Sequence, residues 1–274
     1  MTRSSSAALL GLLCLVALAA SAAGATRPAH APFVSVSATP AQVTMAGRST
    51  QKIVLSNRGS TRVAVDVATA NFAFDRVGRA RIGLRTPPPR SARTWLSVRP
   101  RLRVLAPGAS ASVTVTAHSP RGAEPGDHHA LVLLSTRPVR RGPVAIRTRV
   151  GVLVLVRVRG RIVRRLELRG LRIERLHHDR IVHVLVTNRG NVTERLLGRS
   201  ATVSLVRTGR RPTTVAALPR DLLPRTSGEL VVPYRGRLRG PVRAVVRVRP
   251  LRAAFDGPGA PELRPLTRTF RIRL

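Results

Sequence analysis

The sequence predicts an all-β protein of two β-sandwich domains in tandem, preceded by an N-terminal export signal. Three observations support this prediction. Within many short segments, apolar and polar residues alternate at every second position, which is typical of strands. The residue spacing of a long amphipathic helix is hard to find. Turn-forming residues separate these segments at intervals typical of a sandwich. The 274 residues also suffice for two sandwiches of about 100 residues each.

The N-terminal segment has the organisation of a secretory signal peptide. Arg3 supplies a positive charge, residues 7–20 form an apolar run, and small residues follow up to Ala25. The run is short for a membrane span, which needs ~20 apolar residues, although an uncleaved anchor is the alternative. We therefore predict a signal peptide over residues 1–25 and a secreted, extracytoplasmic protein associated with the cell envelope. Later apolar runs are shorter, so no transmembrane segment is expected in the mature chain.

Six segments of the first half read as strands between turn signals such as Asn57-Arg58-Gly59 and Pro107-Gly108. They are Phe33–Ala38, Gln51–Ser56, Arg62–Thr69, Trp95–Val98, Ser112–Ala117 and Ala130–Ser135. A long strand, residues 145–160, follows them. Its even positions are apolar and β-branched, and its odd positions carry arginine at both ends, as a half-buried strand requires.

The middle of that long strand is apolar on both faces. Gly151, Leu153 and Leu155 interrupt the arginine-bearing face, which predicts that a neighbouring domain or a loop covers it. We place the domain boundary near Gly160. The first sandwich is predicted over residues 31–160 and the second over residues 161–274.

The second half contains further strand candidates and an internal repeat. The strand candidates are Leu166–Ile173, Ile181–Thr187, Ala201–Val206, Gly228–Pro233, Val242–Arg249 and a final strand ending at Leu274. An apolar strand followed by Asn-Arg-Gly occurs at residues 53–60 and again at residues 184–191. Asn and Gly tolerate positive φ, which suits a tight turn leaving a strand. The separation of the two copies fits a tandem domain, with chance recurrence as the alternative.

The first half carries a family resemblance. The segments that carry it are Phe33-Val34-Ser35-Val36-Ser37-Ala38, the Asn-Arg-Gly strand, Trp95-Leu96-Ser97-Val98 and residues 122–130. Together they resemble the secreted Ig-like modules of the WxL-interacting protein family of Gram-positive bacteria. More loosely, they are similar to the Ig-like domains of pilus chaperones. The resemblance covers residues 33–160 well, and the second half only through its Asn-Arg-Gly strand.

The resemblance implies tandem Ig-like domains at a cell surface, the first associated with peptidoglycan and the second with a surface partner. The family's C-terminal membrane span and basic tail have no counterpart in this sequence, which puts the second domain's partner in doubt. No ligand-contact motif of the family is matched in this sequence.

The sequence offers no recognisable chemistry of catalysis or metal binding. Nucleophile-elbow, zinc-protease, Cys-x-x-Cys and phosphate-loop motifs are all missing. The dense histidine clusters are Asp127-His128-His129 and His177-His178-Asp179, a strand start and a hairpin turn. Adjacent side chains of a strand point to opposite faces, so such pairs are poor metal sites. We predict a protein that is not an enzyme, with no cofactor and no metal, in which Trp95 has a packing role.

The strongest remaining signal is charge. Lys and Arg number 49 against 12 Asp and Glu, a formal net charge of +37, and Lys52 is the one lysine. Such a surface attracts polyanions, although codon bias would also favour arginine over lysine. One Trp, one Tyr and five Phe leave few rings for base stacking, which argues against nucleic acid.

These observations lead to a function hypothesis with alternatives. We predict an exported, non-enzymatic binding or scaffolding protein that contacts a cell-wall polymer or another anionic surface, with a surface protein as an additional candidate partner. The predicted basic patch comprises Arg147, Arg149, Arg157, Arg159 and Arg161. The first alternative is a periplasmic-chaperone-like Ig protein that binds a client strand by β-augmentation. A secreted hydrolase is a further alternative, which would require a histidine clustered with Asp and Ser.

Overall fold

The computed structural model describes residues 33–141, 144–176, 179–251 and 264–274. The predicted signal peptide, Cys14 and the pair His177-His178 lie outside the described residues. Two short 3-10 helices, Arg93–Trp95 and Gly198–Ser200, accompany the strands. Within these ranges, no helix has the length and apolar composition needed to cross a lipid bilayer.

The first sandwich contains strands β1 to β13. They are β1 Val36–Thr39, β2 Gln42–Ala46, β3 Arg48–Asn57, β4 Val63–Ala70, β5 Phe72–Phe74, β6 Ala80–Ile82, β7 Leu96–Arg99, β8 Leu102–Leu105, β9 Ser110–His118, β10 Gly126–Thr136, β11 Val139–Arg141, β12 Val144–Ile146 and β13 Arg149–Val158. One sheet has the order β1-β3-β9-β7. The other, which we call the long sheet, has the order β2-β13-β10-β4-β8. Strands β5 and β6, and strands β11 and β12, form separate hairpins.

The core of the first sandwich follows from period-two alternation. Inward positions of both sheets are fully buried, among them Ile53 on β3, Val115 on β9 and Val132 on β10. The chain changes sheet between β1 and β2, where Pro40 has no N–H to continue a ladder. Met45 on β2 is fully buried, so β2 closes one side of this core.

The second sandwich contains strands β14 to β22. They are β14 Leu166–Leu176, β15 Asp179–Asn188, β16 Glu194–Leu196, β17 Ala201–Val206, β18 Thr213–Ala216, β19 Arg220–Leu222, β20 Ser227–Tyr234, β21 Pro241–Val248 and β22 Leu266–Arg273. Its sheets have the orders β14-β15-β20 and β18-β17-β21-β22, and β16 pairs with β19. A second apolar core lies between them, with Val184, Leu205 and Val246 at its centre. The all-β fold of two tandem Ig-like sandwiches is therefore confirmed.

The Asn-Arg-Gly repeat builds the same turn in both sandwiches. The Oδ1 of Asn57 accepts the N–H of Gly59 at 2.9 Å, and the Oδ1 of Asn188 accepts the N–H of Gly190 at 2.9 Å. Each Nδ2 donates to the carbonyl four residues ahead and to a distant segment, where Asn57 reaches two carbonyls and Asn188 reaches one. Both asparagines are buried.

The reason for glycine in this turn differs from the one predicted. Neither Gly59 nor Gly190 has positive φ. A Cβ on Gly59 would instead lie 2.4 Å from the carbonyl oxygen of Phe33, and one on Gly190 would lie 2.4 Å from that of Val163. Close approach of a neighbouring backbone therefore requires glycine, while the asparagine side chain replaces missing backbone hydrogen bonds.

The long strand predicted over residues 145–160 is two strands. Strand β12 ends at Ile146 and pairs with β11, and β13 begins at Arg149 and pairs with β10 and β2. The alternation of apolar and basic residues continues across the break, which is why the sequence reads as one strand.

Candidate functional site

The long sheet has an uncovered edge at the start of β13. Strand β2 runs parallel to β13 and pairs Gln42–Ala46 with Leu153–Arg157. On that side, no strand in the described part of the chain pairs with residues 149–152. We call this four-residue segment the open edge. It is backed on its other side by β10, which pairs with β13 along its whole length from Ser135 to Gly126.

The open edge presents backbone groups outward. The N–H of Leu153 donates to the carbonyl of Ala41 at 3.1 Å, which fixes the side toward which Leu153 directs its backbone. Residues two and four positions earlier share that direction because backbone polar groups alternate along a strand. The N–H and C=O groups of Gly151 and Arg149 therefore point away from β10, to the side on which β2 does not pair with them.

The side chains around the open edge combine apolar surface with positive charge. Val150 is half-buried and packs against the first core. Ile146, just before β13, is 41% exposed. Arg147 and Arg149 are exposed. Gly151, which precedes Leu153 by two residues, has no side chain that could shield the backbone from solvent. An extended segment placed here would meet outward backbone groups beside the exposed Arg149, whereas the Nε of Arg147 donates to the carbonyl of Thr136 on β10 at 3.2 Å.

The outer face of the long sheet is apolar where it meets the second sandwich. Leu131, Leu155, Phe72 and Leu223 are buried together in a third apolar cluster, in which Leu223 comes from the second sandwich. Leu153 is half-buried against the same cluster. The prediction that a neighbouring domain covers the middle of β13 is thus confirmed at Leu155 and in part at Leu153. It is wrong at Gly151, which is exposed because the cluster ends before the open edge.

Carboxylates concentrate at the junction of the two sandwiches. Asp127, opposite Arg157 on the neighbouring strand, forms an ion pair with it and accepts the N–H of Thr193 at 2.7 Å. The Nδ2 of Asn191 donates to the carbonyl of Pro125 at 3.0 Å. Asp127 is buried. One carboxylate therefore neutralises an arginine of the first sandwich and bonds the backbone of the second.

A second ionic contact joins the sandwiches through Glu229. This buried carboxylate lies 2.8 Å from Arg76 of the first sandwich and 2.8 Å from Arg172 of the second. The hydrogen bond from Arg172 lowers the pKa of Glu229, an effect that burial partly opposes. The N–H of Glu229 also donates to the carbonyl of Arg76 at 2.7 Å. The junction is thus held by charge as well as by apolar contact.

The five arginines of the predicted basic patch do not form one surface. Arg147, Arg149, Arg159 and Arg161 are exposed, but the first two flank the open edge and the last two follow β13 at its other end. The guanidinium of Arg157, 12% exposed, is engaged by Asp127. Their role in binding an anionic partner stays a prediction.

His128 and His129, on β10, are buried packing residues, whereas His118 is exposed. His128 lies 4.3 Å, ring to ring, from Trp95, which packs at the margin of the first core. Burial, the largest cause, lowers the pKa of His128, and the charge of Arg90 acts in the same direction. His129 is buried edge-on against Phe72, and burial lowers its pKa to about 4.

Two kinds of side-chain cluster would indicate such chemistry among the described residues, a metal-binding group and a histidine beside a serine hydroxyl. No group of three or more His, Cys, Asp and Glu side chains in these ranges is placed to hold a metal ion. His128 and His183 hydrogen-bond to arginine and glutamate residues, and no serine hydroxyl contacts either ring within the described ranges. The clustered pocket that a hydrolase would require is thus not found among them.

Comparison with known proteins gives a likeness in fold. No family model matches the chain, and no curated protein matches it. Solved structures that resemble it include the class 5 fimbriae chaperone CfaA, with a TM-score of 0.47, 11% identity, and coverage of 86% of this chain and 98% of that one.

Two complexes contain chains of similar fold. One is the complex of the Salmonella enterica SafA pilin with the SafB chaperone, at a TM-score of 0.45 and 13% identity, covering 87% of this chain and 97% of that one. The other is the CsuC–CsuE chaperone–tip subunit complex of Acinetobacter baumannii, at a TM-score of 0.46 and 10% identity, covering 85% of this chain and 97% of that one. These likenesses agree with the looser similarity to pilus-chaperone domains, while the WxL-interacting family finds no support. At such identities they describe the fold alone.

Proposed function

We propose that the protein is an exported, non-enzymatic binding protein that accepts an extended client segment as an added strand on the open edge of β13. The observation that carries this proposal is the mismatch in length between β2 and β13. Because β2 covers only the second half of β13, the long sheet ends in two residues with outward backbone groups, Arg149 and Gly151. An incoming strand would pair with β13 on the side where β2 stops.

The energetics define what the client must supply. Two residues offer two N–H and two C=O groups, and a net gain of about 1 kcal/mol per hydrogen bond gives roughly 4 kcal/mol. That gain does not exceed the loss of translational and rotational freedom on association, about 4 kcal/mol or more, so backbone pairing alone gives no stable complex. Stable binding therefore needs apolar contact with Ile146 and Val150. The flanking Arg147 and Arg149 favour a client segment that is acidic or uncharged.

This function accounts for more of the geometry than contact with a cell-wall polymer does. The wall hypothesis depends on net charge, and the five arginines proposed for it lie in separate places. Strand addition uses a specific structural gap. We therefore place the chaperone-like function first and keep an extracytoplasmic location as part of the proposal.

The experiment compares two substitutions of Gly151. Gly151→Pro removes the outward N–H, whereas Gly151→Ala keeps it and places a Cβ 3.5 Å from Leu131, an ordinary contact. The probe is a fluorescent ten-residue peptide of alternating Val and Thr with one central Glu, measured by anisotropy. Binding to the wild type and the Ala variant but not to the Pro variant supports strand addition.

The opposite outcomes are equally clear. Equal binding by the Pro and Ala variants would mean that the peptide does not pair with this edge. Absence of binding to the wild type, together with unchanged amide hydrogen exchange at residues 149 and 151, would refute the proposal. Circular dichroism of all three proteins confirms that the fold is retained.

A further inference from the structure

A second concave surface lies at the other end of β13. A cavity of about 580 Å³ is lined by the turn between β2 and β3, by the segment after β9 and by the residues that follow β13. Each of these three segments contributes one arginine, namely Arg48, Arg121 and Arg159. The three positions are far apart in sequence, so the fold brings them together.

Tight backbone contact holds two of these segments together. The N–H of Ser119 donates to the carbonyl of Gly47 at 2.7 Å. A Cβ on Gly47 would lie 2.6 Å from the Oγ of Ser119, so only glycine permits this approach without a shift of the serine. Arg48 follows Gly47 directly, and Arg121 follows Ser119 by two residues. The contact therefore fixes the separation of two of the three arginines.

The cavity has no counter-charge among its lining residues. The carboxylates of the first sandwich are engaged elsewhere. They are Asp66, with Arg137; Asp75, with backbone N–H groups of its own turn; Glu124, with Arg90; and Asp127, with Arg157. In the part of the chain that the structure describes, no ion pair involves Arg48, Arg121 or Arg159. Three guanidinium groups thus face one concavity unopposed.

We propose that this cavity binds a phosphate group carried on a small polyol, the chemistry of a glycerol-phosphate unit. Guanidinium groups offer paired N–H donors that match the oxygens of phosphate, and three of them suit an anion with several acceptor oxygens. The volume lies within the range of small-molecule sites, and it exceeds what one phosphate fills. The remaining space, with apolar Ala46, Pro120 and Val158 in its wall, accommodates the carbon skeleton. This site is separate from the open edge and does not depend on client binding.

The test distinguishes a site from the general positive field of the protein. Binding of glycerol 3-phosphate is measured by calorimetry for the wild type and two triple variants. The cavity variant carries Arg48→Gln, Arg121→Gln and Arg159→Gln. The control variant carries Arg243→Gln, Arg247→Gln and Arg271→Gln, three exposed arginines of β21 and β22 with the same total charge.

The expected result is a loss of affinity by about tenfold or more in the cavity variant, and by less than about twofold in the control. Equal losses in both variants would overturn the proposal, because they would show a long-range charge effect. The proposal would also be overturned if the wild type released no more heat with glycerol 3-phosphate than with glycerol. All substituted side chains are exposed, and thermal unfolding verifies that both variants fold.

A second arm identifies the source of the phosphate. Vesicles of phosphatidylglycerol in phosphatidylcholine are sedimented with each protein. Retention that the cavity variant loses and the control keeps indicates a lipid headgroup in this cavity. If vesicle retention is equal in both variants while the calorimetric difference persists, the ligand is a soluble or polymer-borne phosphate. Equal behaviour of the two variants in both arms refutes the site.

Discussion

Individual residues of this protein show how buried polar groups are used. The two asparagines of the Asn-Arg-Gly turns each replace several backbone hydrogen bonds, and the buried carboxylates bind arginine or backbone N–H groups. Among the described residues, three of the few acids are buried, namely Asp127, Glu194 and Glu229. The sequence repeat predicted that the turns are equivalent. It could not predict the close approach of Phe33 and Val163, because that contact depends on strands far away in sequence.

Replacing either turn asparagine should destabilise the protein. Asn57→Ala and Asn188→Ala each leave buried carbonyl groups and one glycine N–H without a partner, at a cost of about 2 kcal/mol or more in the free energy of unfolding. Denaturant unfolding measures both values, which should be similar because the bonds are equivalent. Arg58→Ala, an exposed change in the same turn, is the control and should cost less than about 0.5 kcal/mol. A negligible effect of Asn57→Ala would contradict this account of the turn.

The pKa of His129 predicts how stability varies with pH. Burial lowers that pKa to about 4 in the folded protein, against about 6.5 in the unfolded chain. The unfolded state therefore binds the extra proton first, and stability falls as the pH is lowered from about 6.5 to 4, by up to about 1.4 kcal/mol per unit.

The measurement is denaturant unfolding between pH 7.5 and 4 for the wild type and His129→Gln. The variant should lose part of the slope in this window, although it is less stable at neutral pH. Phe72→Leu disturbs the same ring contact without removing a titratable group, and should retain the wild-type slope. Identical slopes for the wild type and His129→Gln would show that His129 does not titrate as described.

Strands differ in how well the sequence reveals them. Strand β17 coincides with its predicted range, and each of the other predicted strands overlaps an observed one, but eight short strands were not predicted: β2, β5, β6, β8, β11, β16, β18 and β19. Strand β2 was missed, because its five residues lie between Pro40 and Gly47 and resemble a loop. That omission matters, since the open edge exists only because β2 pairs with part of β13. The candidate site could not be predicted for this reason: it is defined by the register of two strands.

Weakening β2 should lengthen the open edge. Met45→Ala removes a fully buried side chain and should cost about 2–5 kcal/mol in the free energy of unfolding. Loosening of β2 should also speed hydrogen exchange at the N–H of Leu153 and Leu155, which face β2. Exchange at Val154, which faces β10, should change less. Hydrogen-exchange mass spectrometry or NMR measures these rates.

The matched control for Met45→Ala is Val54→Ala. Val54 lies on β3 and is 41% exposed, so its truncation should cost less than about 1 kcal/mol and leave the exchange of β13 unchanged. Equal acceleration at Leu153 and Val154 in the Met45 variant would indicate global unfolding. That result would show that β2 does not detach from β13 independently of the rest of the fold.

At the scale of the whole molecule, the junction between the sandwiches combines an apolar cluster with buried ion pairs. The sequence predicted that a neighbour covers the middle of β13, because its leucines interrupt a charged face. It did not predict that Arg157 belongs to the junction. By alternation Arg157 is equivalent to Arg149, and only the register of β10 against β13 places it opposite Asp127.

Removing the junction carboxylate should destabilise the whole protein. Asp127→Asn removes the carboxylate charge that faces the largely buried guanidinium of Arg157, and breaking a buried pair costs about 3–5 kcal/mol. Asp66→Asn breaks the exposed pair with Arg137 and should cost less than about 1 kcal/mol. Denaturant unfolding gives both values. A cost for Asp127→Asn as small as that for Asp66→Asn would mean that the junction does not depend on this pair.

The two arginines beside the open edge also determine how the protein treats its own copies. A second copy that paired edge to edge would bring the exposed arginines of both edges close together, and like charges opposite each other across strands are destabilising. Exposed sheet edges are otherwise starting points for aggregation. We therefore expect this edge to resist self-association. The protein should stay monomeric in concentrated solution at low salt, and association should increase as salt screens the guanidinium groups.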